Sequence, residues 1–303
     1  MKIFKTINHN PDLALALGYF DGVHIAHQKL ISKTVEFAQK NKKKSAVITF
    51  DINPANYFAK EKILNVCSNE ERLERIEALG VDFAYVLDFE EYMQMEALEY
   101  LEGVLVKNFS PCSITVGFNH KFGKEKKGNT KLLSEQAKNF GYQFTELAPQ
   151  KIQTCLISSS NIREMISNGH IRNANLLLGH SFSLKNNVVK GDMIARKMGF
   201  PTANIFWPNN IVHLPHGVYF GYAVVDKTYP AIINWGTRPT FDGNDEEIVE
   251  VHILNFDSQI YGKIIRVLFV MKIRDEIKFP NMEALSKQIE EDVETAKKLA
   301  RLS

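Results

Sequence analysis

Leu13-Ala14-Leu15-Ala16-Leu17-Gly18-Tyr19-Phe20-Asp21-Gly22-Val23-His24-Ile25-Ala26-His27 opens as a strand and closes as a helix. The first five residues are an unbroken apolar run ending at Gly18, the pattern of a parallel strand covered on both faces. From His27 to Asn41 apolar residues recur at Leu30, Ile31, Val35 and Phe37 among lysines, which predicts a helix. A strand, a glycine turn and a helix in succession aim free backbone N–H groups at an anion. His24 and His27 are three apart and project from one side of the first helical turn. Two imidazoles there can donate hydrogen bonds to phosphate oxygens. The plainer alternative is a solvent-facing helix start with two incidental histidines.

Working outward, the texture changes once, near residue 180. Before it, apolar strands at about 13–17, 45–50, 83–88, 113–116 and 143–147 alternate with helical patterns, of which Glu70–Leu79 and Glu90–Val106 are the clearest. That alternation predicts a parallel sheet with helices on both faces, and its ligands belong beyond the carboxyl ends of the strands. Helices at Ser160–Asn168 and Ile171–Leu178 close this half. After Gly179 come short strands at Phe182–Val189, Gly217–Val225, Tyr229–Trp235, Val249–Asn255 and Ile264–Val270, divided by Asn, Gly, Pro and Asp turns. These predict an antiparallel barrel, followed by an amphipathic helix over Asn281–Leu302. The expected domains are therefore 1–181 and 182–303.

Composition narrows the function classes. A chain of 303 residues is long enough for two cores. A net charge of +2 with 24% charged residues offers no nucleic-acid-binding surface. The lysines at 40 and 42–44 read as a solvated helix end. Cys67, Cys112 and Cys155 are odd in number and widely spaced, which fits a reducing, cytoplasmic setting and neither a disulfide framework nor a metal cage. No signal peptide and no bilayer-spanning stretch is expected. The expected partners are small molecules, with no nucleic acid and no membrane; oligomeric state is left open.

The opening stretch resembles the G-x-F-D-G-V-H-x-G-H signature of the bacterial bifunctional riboflavin kinase/FAD synthetases, whose N-terminal half is a Rossmann-like nucleotidyltransferase domain. Thr49-Phe50-Asp51-Ile52-Asn53-Pro54 is similar to the family's T-F-D-P-H-P, and Val116-Gly117-Phe118-Asn119-His120-Lys121-Phe122-Gly123 to its V-G-x-[ND]-F-x-F-G loop. Ile157-Ser158-Ser159-Ser160-Asn161-Ile162-Arg163 resembles its I-S-S-T-x-I-R phosphate clamp. Four matches fall in register over about 145 residues. Three departures stand out. Ala26 replaces a glycine, Asn53 a histidine, and Asn161 a frequent arginine whose fork Asn cannot supply.

The second half resembles the flavokinase domain of the same family. Val188-Val189-Lys190-Gly191-Asp192 leads to Gly199-Phe200-Pro201-Thr202-Ala203-Asn204, similar to its glycine loop and G-F-P-T-A-N. Leu214-Pro215-His216-Gly217-Val218-Tyr219, Asn234-Trp235-Gly236-Thr237-Arg238-Pro239-Thr240-Phe241, Val249-Glu250-Val251-His252-Ile253-Leu254 and Ile273-Arg274-Asp275 follow in order. Ala195 stands where the glycine loop commonly has glycine, which reduces backbone freedom.

The resemblance implies phosphorylation of riboflavin to FMN in the C-terminal domain and adenylylation of FMN to FAD in the N-terminal one, with ATP as co-substrate and Mg²⁺ as cofactor. It makes Glu250 the base at the ribityl hydroxyl, although alone it reads as an ordinary strand glutamate. It makes Thr202 and Asn204 the Mg²⁺ ligands, hard oxygen donors, although Thr-Ala-Asn alone reads as a turn. His24, His27 and Arg163 are its catalytic residues for adenylyl transfer. Nucleotide and flavin contacts are implied for Gly18, Phe20, Asp21, Gly22, Asp51, Asn119, Ser158, Ser159, Ser160, Gly191, Gly199 and Arg274. For Asp51 a capping or turn role, and for Arg274 a surface ion pair, stand as alternatives. Two other functions remain open at this point: a single retained activity, with the adenylyltransferase site weakened by Ala26, Asn53 and Asn161, or a flavin-binding regulator without catalysis.

Overall fold

The computed structural model describes residues 1–191, 199–239 and 245–301. Two compact units result: Met1–Asn65 with Asn69–Ser159, and Val66–Ser68 with Ser160–Ser303.

The first unit is built on a six-stranded sheet: β1 (Lys2–Phe4), β2 (Leu13–Leu17), β3 (Lys44–Phe50), β4 (Phe83–Leu87), β5 (Ser113–Gly117) and β6 (Gln143–Leu147). Their order is β1-β4-β3-β2-β5-β6, every neighbouring pair parallel. All five residues of β2 are buried, as its unbroken apolar run requires of a central strand covered on both faces. One face packs Leu13, Leu15, Ile48, Tyr85 and Phe109 into a core, and the other packs Ala16, Val47, Leu30, Ile31 and Ile76. The latter group brings in helices α1 (Ile25–Lys40) and α2 (Asn69–Ala78).

The structure corrects two expectations here. β1 was not anticipated; it is only three residues long and lies at the sheet edge. The helix expected over Glu90–Val106 is instead a 3-10 turn at Phe89–Glu91 and a separate helical stretch over 97–109, whose middle, Tyr100–Val106, is π-helical. The restart is a capping box in which the side chains of Glu96 and Glu99 each satisfy the other's backbone N–H. The apolar periodicity runs through this break and hides it.

The second unit is antiparallel throughout. It comprises β7 (Phe182–Asn187), β8 (Ala203–Ile205), β9 (Gly217–Val224), β10 (Thr228–Pro239), β11 (Asp245–Ile253) and β12 (Ile264–Arg274), in the order β7-β12-β9-β10-β11-β8. Val189, just past β7, bridges to Asn204 on β8, so the two edges of the sheet meet and the barrel closes. Trp235, Tyr219, Phe182 and Phe269 are fully buried inside it. Helix α3 (Met282–Ala300), capped by Asn281, covers an outer face through Val293 and Ala296 packed with Val218, Phe220 and Ile232. Two helices, Ser159–Ser167 and Ile171–Leu178, precede the strands. Asn175 ties the second of them to the barrel, donating to the Phe269 carbonyl at 2.8 Å and accepting from the Phe182 N–H at 2.8 Å.

Candidate active sites

In the first unit three of the quoted motifs leave the sheet at one edge. β3, β2 and β5 are adjacent and parallel, so Asp51, Gly18 and Asn119 follow neighbouring carboxyl ends. After β2 the chain turns sharply through left-handed backbone at Phe20 (φ 60°), Gly22 (φ 72°) and Val23 (φ 40°). A β-branched residue with positive φ is an outlier that persists only when its surroundings over-determine it. Phe20 and Val23 are both buried, and a side chain on Gly18 would start 2.9 Å from the Phe20 ring. The Ser159 hydroxyl donates to the Asp21 carbonyl at 3.0 Å and brings the start of the serine motif to this turn.

The turn ends at His24, the N-cap of α1, so the helix begins two residues earlier than the apolar pattern indicates. His24 Nδ1 accepts the His27 N–H at 3.3 Å. That bond places the proton of a neutral His24 on Nε2, leaving it a donor. The two imidazoles stack with centroids 3.5 Å apart and 16° between planes, and Phe20 meets the His27 ring edge-on at 5.2 Å. His27 is half-buried and its Nδ1 has no hydrogen-bond partner. Burial first, and then the neighbouring His24 and Arg72, hold its pKa well below the usual histidine range. His27 thus presents a neutral imidazole.

Asp51 and Asn119 are exposed beyond the carboxyl ends of β3 and β5. The Asp51 carboxylate accepts its neighbour's N–H, from Ile52 at 2.7 Å, while Asn53 caps the short helix Pro54–Tyr57. In the second unit Arg163 Nη2 donates to the Ser160 hydroxyl at 3.1 Å.

Two features of the first unit escape the sequence reading. Phe89 gathers Phe50 at 5.1 Å, Tyr57 at 5.2 Å and Phe58 at 6.1 Å, with Phe58 56% exposed and Lys126 over its ring. Their wide spacing along the chain offers no periodic signal. The other is Arg72, a buried arginine on α2 beneath the strand ends. In the sequence it reads as one more charge in Asn69-Glu70-Glu71-Arg72-Leu73.

In the second unit the motifs meet across the sheet. Asn204 on β8 pairs with Glu250 on β11, and Glu250 with Asn234 on β10. The row continues through Val218 on β9 to Arg274 on β12. Directly opposed residues of antiparallel strands share a face, so three motifs far apart in the chain place their polar side chains side by side. Asn234 Nδ2 donates to Glu250 Oε2 at 3.4 Å. Asn204 is buried and its Oδ1 has no hydrogen-bond partner. Gly191 lies against it: a Cβ there would fall 2.8 Å from the Asn204 Cγ.

Thr202 and Asn204 line a cavity of about 350 Å³ whose far wall is the segment Phe256–Tyr261. Gly199, shortly before Thr202 in the chain, has left-handed backbone at φ 88°. His252 fastens the same loop, its Nδ1 lying 2.9 Å from the Pro201 carbonyl and its ring edge-on to Phe200. Arg274 is engaged by Asp292 of α3, with Nε 3.1 Å and Nη2 2.9 Å from Asp292 Oδ2. Ala195, Asp192 and Arg196–Met198 of the glycine loop, and Thr240 and Phe241 of the following motif, lie outside the described residues. Among the described residues no three His, Cys, Asp or Glu side chains converge to hold a metal. No helix there is long and apolar enough to cross a membrane.

Comparison with known proteins gives a family for each half of the chain. A family model described as FAD synthetase matches residues 6–161, and one described as riboflavin kinase matches residues 178–300. Proteins named bifunctional riboflavin kinase/FMN adenylyltransferase are similar over nearly the whole chain. The one from Haemophilus influenzae is 33% identical, covering 94% of this chain and 93% of its own. That of Buchnera aphidicola from Acyrthosiphon pisum is 31% identical over 97% and 96%, and that of Escherichia coli 30% over 100% and 99%. A crystal structure from Streptococcus pneumoniae, titled a macrolide-efflux protein, superposes with a TM-score of 0.86 at 29% identity, covering 98% of this chain and 99% of that one. With both family models matched in order and whole-length relatives above 30% identity, the chain belongs to the bifunctional riboflavin kinase/FMN adenylyltransferase family.

Proposed function

We propose that the barrel transfers the γ-phosphoryl group of ATP to the ribityl 5′-hydroxyl of riboflavin, and that the parallel-sheet unit then joins AMP from a second ATP to the FMN phosphate, releasing pyrophosphate. The observation that carries the reading is the row Asn204–Glu250–Asn234 beside the cavity at Thr202. Phosphoryl transfer to an alcohol calls for a base at the hydroxyl and for charge stabilisation along the phosphates. Glu250 takes the hydroxyl proton, and Asn234 orients its carboxylate. The cavity accepts the nucleotide, with Gly191 against Asn204 leaving room beside its phosphates.

Mg²⁺ fits this site. Its donors are hard oxygens, and Asn204 Oδ1 is buried with no other partner. Thr202 and Asn204 would hold the ion, which when bound neutralises charge on the triphosphate. Arg274 closes the row of catalytic strands, its contact to flavin or nucleotide shaped by its pair with Asp292.

Adenylyl transfer needs positioning and charge stabilisation rather than a covalent intermediate. His24 Nε2 and the His27 ring hold the β- and γ-phosphates above the turn of Gly18, Phe20, Asp21 and Gly22. Ser158 and Ser159 of the same unit clamp the departing pyrophosphate. Asp51 and Asn119 flank the flavin phosphate, and the exposed Phe58 ring offers the isoalloxazine a stacking surface. All kinase residues lie beyond 182, so the functional boundary stays at 181/182 although two preceding helices are built into the second unit. A cytoplasmic setting accords with three cysteines, none in a disulfide.

Chromatography of the products from riboflavin, ATP and Mg²⁺ tests the reading. FAD is expected. FMN alone would mean that the first unit is inactive, and no product would leave a flavin-binding protein.

A further inference from the structure

After Trp235, Arg72 is the largest fully buried side chain of the described residues, 1% exposed. No carboxylate pairs with it among the described residues; its two terminal nitrogens donate to backbone, and its buried Nε has no hydrogen-bond partner. Nη1 donates to the Tyr19 carbonyl at 2.8 Å and Nη2 to the Phe50 carbonyl at 2.5 Å. The group also lies 4.1 Å from the centroid of the Tyr19 ring. Thr49 Oγ1 donates to the same Tyr19 carbonyl at 3.1 Å.

These two carbonyls are not arbitrary. Tyr19 O belongs to the peptide that enters Phe20, the first left-handed residue of the turn (φ 60°). Phe50 O belongs to the peptide that enters Asp51. One rigid fork therefore spans the ends of β2 and β3 just where each motif leaves the sheet. Burying a guanidinium without a counter-charge is unfavourable, and a position needing only volume is better served by an apolar side chain. A fork that fixes a strained turn explains the choice.

We propose that Arg72 is a positioning residue for adenylyl transfer: it locks the Tyr19 and Phe50 carbonyls together and so sets the turn that presents His24 and His27 to the nucleotide. This rests on the reading of the first unit as the adenylyltransferase. The cation also faces His27 and, after burial and His24, helps keep that ring neutral. Charge and fork are separable: lysine keeps the former and loses the bidentate geometry, whereas methionine loses both.

The test uses the full-length chain with Arg72→Met and Arg72→Lys, assayed separately for FMN-to-FAD and riboflavin-to-FMN conversion, with the His27 titration followed by NMR. Both variants should lower kcat for FAD formation by roughly ten- to a hundredfold, the scale of a displaced reacting geometry, while FMN formation is unchanged. The His27 pKa should rise in Arg72→Met and stay depressed in Arg72→Lys. Should the first unit of Arg72→Met fail to fold, as shown by loss of its dispersed NMR signals, Arg72→Lys alone decides the matter through kcat. FAD formation at the wild-type rate in a folded variant, with His27 unmoved, would overturn the proposal. Absence of FAD from the wild type would instead overturn the reading on which it rests.

Discussion

Asn204 and Glu250 face each other directly across the antiparallel ladder of β8 and β11. Side chains so paired sit roughly 4.5–5.5 Å apart at Cβ. The residue proposed to hold the metal and the residue proposed to take the proton are thus fixed by backbone hydrogen bonds on rigid strands. Forty-six positions separate them in sequence, and the glycine loop reaches the same spot through the Val189–Asn204 bridge.

Gly191 tests how tightly this couple is packed. Its missing side chain leaves room for the Asn204 amide, 2.8 Å from the place a Cβ would occupy at Cγ. Gly191→Ala should push that amide aside and lower riboflavin phosphorylation about tenfold or more, with FMN adenylylation untouched. Kinase rates equal to wild type would mean that the amide has slack.

His27→Ala should cut FAD formation by roughly ten- to a hundredfold, the worth of one hydrogen bond to a charged phosphate. FMN formation should not change. Ala26→Gly is expected to leave FAD formation equal or faster. An unaffected His27→Ala enzyme would move the adenylyltransferase site elsewhere.

Fragment boundaries provide a third test. The helix Ile171–Leu178 buries Ile171, Ala174, Leu177 and Leu178, and Asn175 bonds to both Phe182 and Phe269. A fragment starting at Ser160 should fold and phosphorylate riboflavin. One starting at Phe182 should do so with a lower thermal midpoint, having lost that packing. Equal midpoints would show that the helices add nothing to the barrel.

Acid sensitivity follows from two histidines. Burial pushes His120 down to about 4, and His27 is also held low. Both return to about 6.5 on unfolding. Below about pH 6.5 the unfolded chain therefore binds more protons than the folded one, so stability falls as pH drops through that window. Above it these groups have no effect. His120→Phe should gain more in denaturation midpoint near pH 5 than near pH 8. An equal change at the two pH values would show that His120 titrates normally.

Much of this was legible in the sequence because its signals are local. The run at Leu13–Leu17 marked a central strand, and the turn residues after Gly179 marked the barrel. What was illegible is relational. Nothing in Asn69-Glu70-Glu71-Arg72 says that Arg72 reaches two strand ends, because the contact spans twenty-two positions in one case and fifty-three in the other. The cluster around Phe89 depends likewise on three loops meeting. The break before Ala97 was hidden because a capping box leaves the apolar spacing intact. β8 has only three residues and takes its existence from pairing with β11.

The most direct measurement is the product profile of Glu250→Gln, supplied with riboflavin in one reaction and FMN in another, each with ATP and Mg²⁺. Losing a general base lowers rate by about 10²–10⁴-fold, so the account predicts almost no FMN from riboflavin. FAD should still form from FMN at close to the wild-type rate, because none of the adenylyl-transfer residues lies on the barrel strands. Near-normal FMN formation by this variant would contradict the assignment of the base and, with it, the reading of the barrel row as the kinase site.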